Sequence, residues 1–139
     1  MGMEFFGEEW IRVYQDAINA NAGYKLAATD WTFGVVALVA RAKPPAVPKD
    51  LGIWLDLDRG ICREARAVTP EEAASAPFCI TGEYDRWKQV LHKELEPIKG
   101  MLQGKLRLKG DLPTIVRQVK SAEELVNSAQ AVDTVFPDE

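Results

Sequence analysis

Few residues in this chain have the type and spacing that chemistry requires. His92 is the only histidine, and it sits beside Lys93 and Glu94 in a charged stretch that suits a surface better than a general base. Cys62 and Cys79 are separated by sixteen residues and have no histidine clustered with them, which argues against a zinc site or a disulfide framework. Neither cysteine has the cationic cluster that makes a thiolate reactive, although Arg63 adjoins Cys62. Trp54-Leu-Asp-Leu-Asp-Arg-Gly60 places Asp56 and Asp58 at a strand end, as aspartyl-nucleophile phosphatases do, but the surrounding βαβ unit is missing and the stretch reads as a hairpin. It also fails as a calcium loop, because Gly60 stands where an Asp or Asn is needed. Gly100-Met-Leu-Gln-Gly-Lys-Leu106 is one residue short of a phosphate-binding loop and ends in Leu where a hydroxyl should meet magnesium. We expect no catalytic residue, no metal site and no cofactor.

The elements that surround these residues are clearer. Lys105, Arg107 and Lys109 alternate with Leu106 and Leu108, a strand with one wet and one buried face, bracketed by Gly104 and Gly110. Asp111 and Pro113 then open a helix, along which Leu112, Ile115, Val116 and Val119 recur on one side up to Lys120. Upstream, Trp10, Val13, Tyr14, Ala17 and Ile18 form a helical stripe that Gly23 is expected to stop. Trp31 to Arg41 is rich in β-formers and apolar on both parities, so this strand is covered on both sides. The prolines of Lys43 to Pro48 make an exposed connection. Leu51 to Leu57 alternates, and Asp58-Arg59-Gly60 returns the chain in a hairpin through Ile61 to Val68. Thr69-Pro-Glu-Glu72 caps a short helix ended by Pro77, and Phe78 to Thr81 is a further strand. Trp87, Val90, Leu91 and Leu95 mark another helical stripe. Ser121-Ala-Glu-Glu124 reads as a capping box for a last helix through Phe136. This predicts an α+β domain: an antiparallel meander of about five strands flanked by four or more amphipathic helices. We read 1–139 as a single domain, with an N-terminal helical region over 1–30 and an acidic C-terminal helix and tail over 121–139.

At 139 residues and 47% hydrophobic composition the chain is one ordinary domain, able to bury roughly 68% of its unfolded surface. The absence of a basic, long apolar start predicts no secretory signal, and the longest apolar run, Val35 to Ala40, is too short to span a bilayer. The expected location is cytoplasmic. The net charge of −4 hides a partition, with Glu83 to Lys120 at +4 and Ser121 to Glu139 at −5. Without a recognition helix or stacking aromatics this does not suggest nucleic acid, though it favours an anionic head group. The apolar supply of the helices exceeds what one clean sheet face needs, which leaves either a filled core or a cavity.

Trp54-Leu-Asp-Leu-Asp-x-Gly60, Ile80-Thr-Gly-Glu-Tyr-Asp-Arg-Trp87 and Gly104-Lys-Leu-Arg-Leu-Lys-Gly-Asp-Leu112, in this order and spacing, resemble the sterol carrier protein 2 family of lipid-binding domains from about Trp31 to Val119. The resemblance implies a five-stranded, mainly antiparallel sheet with helices on one face and an apolar tunnel between them. It also implies non-catalytic binding and intracellular transfer of a fatty acid, acyl-CoA, sterol or other apolar molecule. The lining residues expected by position are Phe33, Val35, Trp87, Leu91, Met101, Leu102, Leu106, Leu108, Ile115 and Val119. Lys105, Arg107 and Lys109 are the head-group candidates, although alternation aims them away from the leucines. The partners expected are a lipid or other apolar small molecule and transient contact with a membrane, with the protein a monomer or homodimer. No Ser-Lys-Leu peroxisomal address ends the chain. The competing expectation is a dimerisation or docking module of the same fold with a filled core, serving an enzyme encoded elsewhere.

Overall fold

A computed structural model describes residues 2–139. The order of elements is β1 (Met3–Glu4), α1 (Glu8–Ala20), α2 (Ala22–Ala27), β2 (Val36–Arg41), β3 (Leu51–Asp58), β4 (Ile61–Val68), α3 (Pro70–Ala73), β5 (Phe78–Glu83), α4 (Tyr84–Leu91), α5 (Pro97–Leu102), β6 (Arg107–Lys109), α6 (Leu112–Val116), α7 (Val119–Gln130) and β7 (Thr134–Val135). Five strands make one sheet in the order β4-β3-β2-β5-β6, and β1 pairs with β7 in a small second sheet. The large sheet is mainly antiparallel, but β2 and β5 run parallel, with Leu38 opposite Ile80. The expected meander is therefore interrupted. The β3–β4 hairpin and α3 lie between β2 and β5 in sequence, and β5 returns to the free side of β2 instead of pairing with β4.

Alternation divides the sheet into two unequal faces. Val36, Leu38 and Ala40, with Ile53, Leu55 and Leu57 from β3 and Phe78 and Ile80 from β5, point at the helical layer of α1, α2 and α4 to α7. Ala37, Val39 and Cys79 point the other way and pack with Ala73 and Ala76 at and just beyond the end of the short α3. The two-sided burial expected of the central strand is thus met by helices on both sides.

The ordered strand begins at Val36 and not at Trp31. Gly34 takes φ +93, and the Trp31 indole donates to the Gly34 carbonyl at 2.9 Å, so 31–35 is a loop leading into the sheet. The first helix ends at Ala20 instead of Gly23, because Asn21 accepts a hydrogen bond from the Tyr24 N–H and starts α2. The helix after Asp111 is only Leu112–Val116. A second helix, α7, starts at Val119 and includes Ser121, whose hydroxyl donates to the Ala27 carbonyl at 3.0 Å and so caps nothing. Helix α7 ends at Gln130. Phe136 enters the core from the tail, held beside β1, with its ring 5.3 Å from that of Phe5.

Two contacts fix the sheet's margins. Asn19 on α1 both accepts from the Cys62 N–H at 2.8 Å and donates to the Cys62 carbonyl at 2.9 Å, which covers part of the β4 edge. At the other end of the chain, Asp138 receives Lys43 at 2.7 Å and Lys88 at 3.0 Å, and these ammonium groups hold its carboxyl below the ordinary carboxylate range. Asp138→Asn is therefore expected to destabilise the protein at neutral pH. Because the folded value is depressed, the wild-type advantage is complete above the normal carboxylate range and fades as pH falls through the lowered value. Chemical denaturation of both proteins from neutral to acid pH should show the curves converging at the acid end; parallel curves would remove the tail anchor from this account.

The β3–β4 turn gives a second test. Arg59 and Gly60 both have positive φ, +50 and +85, and a β-carbon on Gly60 would lie 2.6 Å from the Lys25 carbonyl oxygen. Gly60→Ala should cost about 2 kcal/mol in a urea titration, with the slope unchanged. A loss no larger than that of an exposed alanine substitution would mean that the turn does not press on α2.

Candidate ligand cavity

Between the inner sheet face and the helices lies an apolar cavity of about 120 Å³. Its floor is Val36 and Leu38 from β2, Ile53, Leu55 and Leu57 from β3, and Ile80 from β5. Phe5, Phe6, Trp10 and Tyr14 close one side, Tyr24, Ala28 and Trp31 another. Trp87, Val90 and Leu91 of α4, Ile98 and Met101 of α5, Ile115 of α6, and Gln118, Ser121, Leu125 and Ala129 in and just before α7 complete the roof. Leu38 shows the effect of the void most clearly. It sits on the central strand, under helices, with Ala37, Val39 and Ala40 buried around it, and is itself only half-buried.

The void stays open because its largest side chains are pinned by their polar ends. The Trp10 indole donates to Thr134 Oγ1 at 2.9 Å, that of Trp31 to the Gly34 carbonyl at 2.9 Å, and that of Trp87 to the Val39 carbonyl at 2.9 Å. The Tyr14 hydroxyl donates to the Leu125 carbonyl at 3.1 Å. Swinging any of these rings inward leaves a buried polar group unpaired, a cost of about 1–3 kcal/mol. A void of this size lined by hydrocarbon stays dry.

The wall contains no Asp, Glu, Lys, Arg or His. Its titratable groups are the phenols of Tyr14 and Tyr24, both pushed up by burial and, to a lesser degree, by the nearby Cys62, so they remain neutral. A second hollow of about 160 Å³ adjoins the first and shares Val90, Pro97 and Val126 with it; Lys93, Glu96 and Glu123 supply its polar groups. Those three side chains thus border both the apolar cavity and a partly polar annex.

The structure brings Trp87, Leu91, Met101 and Ile115 together on the cavity wall and places Val119 in the annex. Leu106 is fully buried just behind the wall, where Gly82 and Gly100 make room for it: a β-carbon on Gly82 would lie 2.5 Å from Leu106 Cδ2. Leu108 is half-buried against the same core. The remaining positions lie elsewhere. Phe33 is 45% exposed because the chain has not yet entered the sheet, and Leu102 is 59% exposed on the outer flank of α5. Val35 packs on the α3 side, with Ala37 and Val39, since it shares their parity. Lys105, Arg107 and Lys109 are exposed, and Arg107 and Lys109 project from the sheet face opposite the cavity.

The rejected chemistries find no support in the geometry. Arg63 pairs with Asp56 at 3.0 Å on the outer face of the hairpin. Cys62 is buried, which pushes its thiol up to about 12, and His92 is exposed with its ring 5.2 Å from that of Phe136. The N–H groups of Lys105 and Leu106 both donate to the Gly100 carbonyl, so this turn offers no nest for phosphate. Among the described residues no cluster of potential metal ligands occurs, and no helix is long and apolar enough to cross a membrane.

Comparison with known proteins agrees with this architecture. The profile of the SCP-2 sterol transfer family matches residues 18–121. A crystal structure of sterol carrier protein 2 superposes with a TM-score of 0.85 at 37% identity, covering 93% of this chain and 99% of that one. A Thermus thermophilus protein described as possibly a sterol carrier protein gives 0.85 at 38% identity, covering 96% of this chain and 93% of its own. The palmitated SCP2L2 of Aedes aegypti, at 18% identity and a TM-score of 0.52 over 83% of this chain and 93% of that one, shares the fold. No curated protein sequence matches. With the family profile spanning most of the chain and relatives of this identity along nearly its whole length, the protein belongs to the SCP-2 sterol transfer family.

Proposed function

We propose that the cavity holds the apolar part of a lipid and that the protein is a non-catalytic cytoplasmic carrier. The observation that carries this reading is the wall itself: aromatic and aliphatic side chains surround a void that has no charged group to act on a substrate. The sterol carrier relatives support it, and so does the Aedes aegypti protein of the same fold, which is palmitated. Burial stabilises each enclosed methylene by ~0.8 kcal/mol, so affinity rises with the length of chain that fits.

The cavity also limits what enters it. An ionised carboxylate or phosphate has no partner there and would retain the full cost of losing water. The polar end of the ligand therefore rests in the annex among Lys93, Glu96 and Glu123, where Lys93 is the group able to meet an anion, and the hydrocarbon passes inward beneath Val90, Pro97 and Val126. The cavity at rest is about the size that accepts one benzene ring, so a long acyl chain requires these side chains to move and the two spaces to join.

Native mass spectrometry of freshly purified protein, followed by displacement of a fluorescent fatty acid, tests the proposal. Leu38→Trp fills the floor without adding charge. It should leave the melting temperature close to wild type and weaken fatty-acid binding more than about ten-fold, since excluding only two methylenes already costs ~1.6 kcal/mol. Arg107→Glu, on the opposite face, should change neither. A protein that carries no lipid mass and displaces no probe at micromolar concentration is not a carrier, and equal losses in the two variants would put the ligand somewhere other than this cavity.

A further inference from the structure

Of the eight exposed large apolar side chains among the described residues, Leu102, Leu112, Val116 and Val119 fall between Pro97 and Lys120. The same segment carries six cations and one carboxylate, so it stands at +5 in a chain of net charge −4. That carboxylate, Asp111, accepts the Thr114 N–H at 3.2 Å as the cap of α6. Lys120 lies 3.6 Å from Glu124, and Lys109 donates to the Ala74 carbonyl. Arg107 faces away with the outer side of the sheet. Lys99, Lys105 and Arg117 remain exposed beside α5 and α6, with no ion pair among the described residues.

The position of this surface matters as much as its composition. Lys99 and Leu102 share a flank of α5, and Leu112 and Val116 share a flank of α6. On the same short helices Met101 and Ile115 line the cavity, and Val119 borders the annex. The exposed apolar residues therefore stand on helices that help to roof the cavity. By contrast, the exposed side of α1 presents Glu8, Glu9, Arg12 and Asp16 and is net acidic.

We propose that α5, the turn over 103–106 and α6 form a docking surface for an anionic lipid bilayer, against which the cavity exchanges its lipid; this exchange rests on the carrier reading above. Leu102, Val116 and Val119 enter the acyl boundary while Lys99, Lys105 and Arg117 sit at the level of the phosphates, the arrangement of an interfacial element. An acidic protein partner would meet the cations, but would have to pair separately with apolar side chains carried on two short helices and the start of α7.

The test is sedimentation of the full chain with vesicles of phosphatidylcholine alone and with about 30% phosphatidylglycerol added, at low and high salt. Wild-type protein should bind the anionic vesicles only and be released by salt. The triple variant Lys99→Gln, Lys105→Gln, Arg117→Gln should bind about a hundred-fold more weakly, at about five-fold per cation. Leu102→Ser with Val116→Ser should also weaken binding at least about ten-fold, whereas Arg12→Gln on α1 should not. Equal binding to both vesicle types, no binding to either, or a triple variant indistinguishable from wild type overturns the docking surface. Fluorescent fatty-acid titration without vesicles separates the two proposals. Variants that bind the probe normally but no longer sediment support docking, whereas a wild type that binds no probe overturns the cavity reading and leaves the vesicle result to judge the surface alone.

Discussion

The structure depends on rings that are held at their polar ends. Close packing is the ordinary state of a protein interior, and a void beside mobile hydrocarbon collapses because its lining gains contacts by moving inward. Here the large side chains at the rim cannot follow. Trp10 is tied to the C-terminal tail, Trp31 to the loop before β2, Trp87 to the backbone of β2 itself and Tyr14 to α7. Each tie is an ordinary hydrogen bond, and each is made where its loss would leave a donor without water. The rings act as struts between sheet and helices, and Leu38 lies uncovered between them.

The opposite face of the sheet shows what happens without struts. Ala37, Val39, Cys79, Ala73 and Ala76 are small, and the chain brings α3 down onto this face so that all five are buried. Glycine makes a similar economy of space on the inner face at one point only. Gly82 lets Leu106 and Trp87 approach the sheet together, with Leu106 Cδ2 where a β-carbon would stand. The core is therefore close-packed around Gly82 and β6 and under α3, and open over β2, β3 and Ile80 of β5. The cavity is a local consequence of side-chain size and not a general slackness of the fold.

Much of the architecture was legible because periodicity reports burial directly. The period-two run around Leu106 and Leu108, the β3–β4 hairpin and the stripe Trp87, Val90, Leu91 each have one answer once a face is chosen. Residues bordering the void were harder, since pattern says which side chains point inward but not which of them fail to meet. Trp10 and Tyr14 were recognisable as an inward stripe, yet nothing in their spacing says that their indole and phenol would be anchored at the tail and at α7. Phe5 and Phe6 precede any periodic element, and only the pairing of β1 with β7 places them on the wall. Val35 lies on the α3 side because the odd positions of this strand face away from the cavity, and a strand apolar on both parities does not say which face is which. Leu102 was misplaced because α5 is a helix of six residues, too short for its stripe to distinguish two adjacent apolar positions.

The shortness of α5 and α6 bears on how the cavity can work at all. Helices of six and five residues have little stability of their own and are held by the caps Glu96 and Asp111 and by the packing of Ile98, Met101 and Ile115. They form the part of the roof that is cheapest to displace, while α1, α4 and α7 are tied by the anchored rings. Displacing that roof in water exposes the apolar floor and is opposed by its full hydration cost. Against a bilayer the same movement exposes hydrocarbon to hydrocarbon, and the opposing term largely vanishes. For the carrier and the docking surface proposed above, the free energy that keeps the roof shut is thus supplied by water and would be removed at the membrane surface.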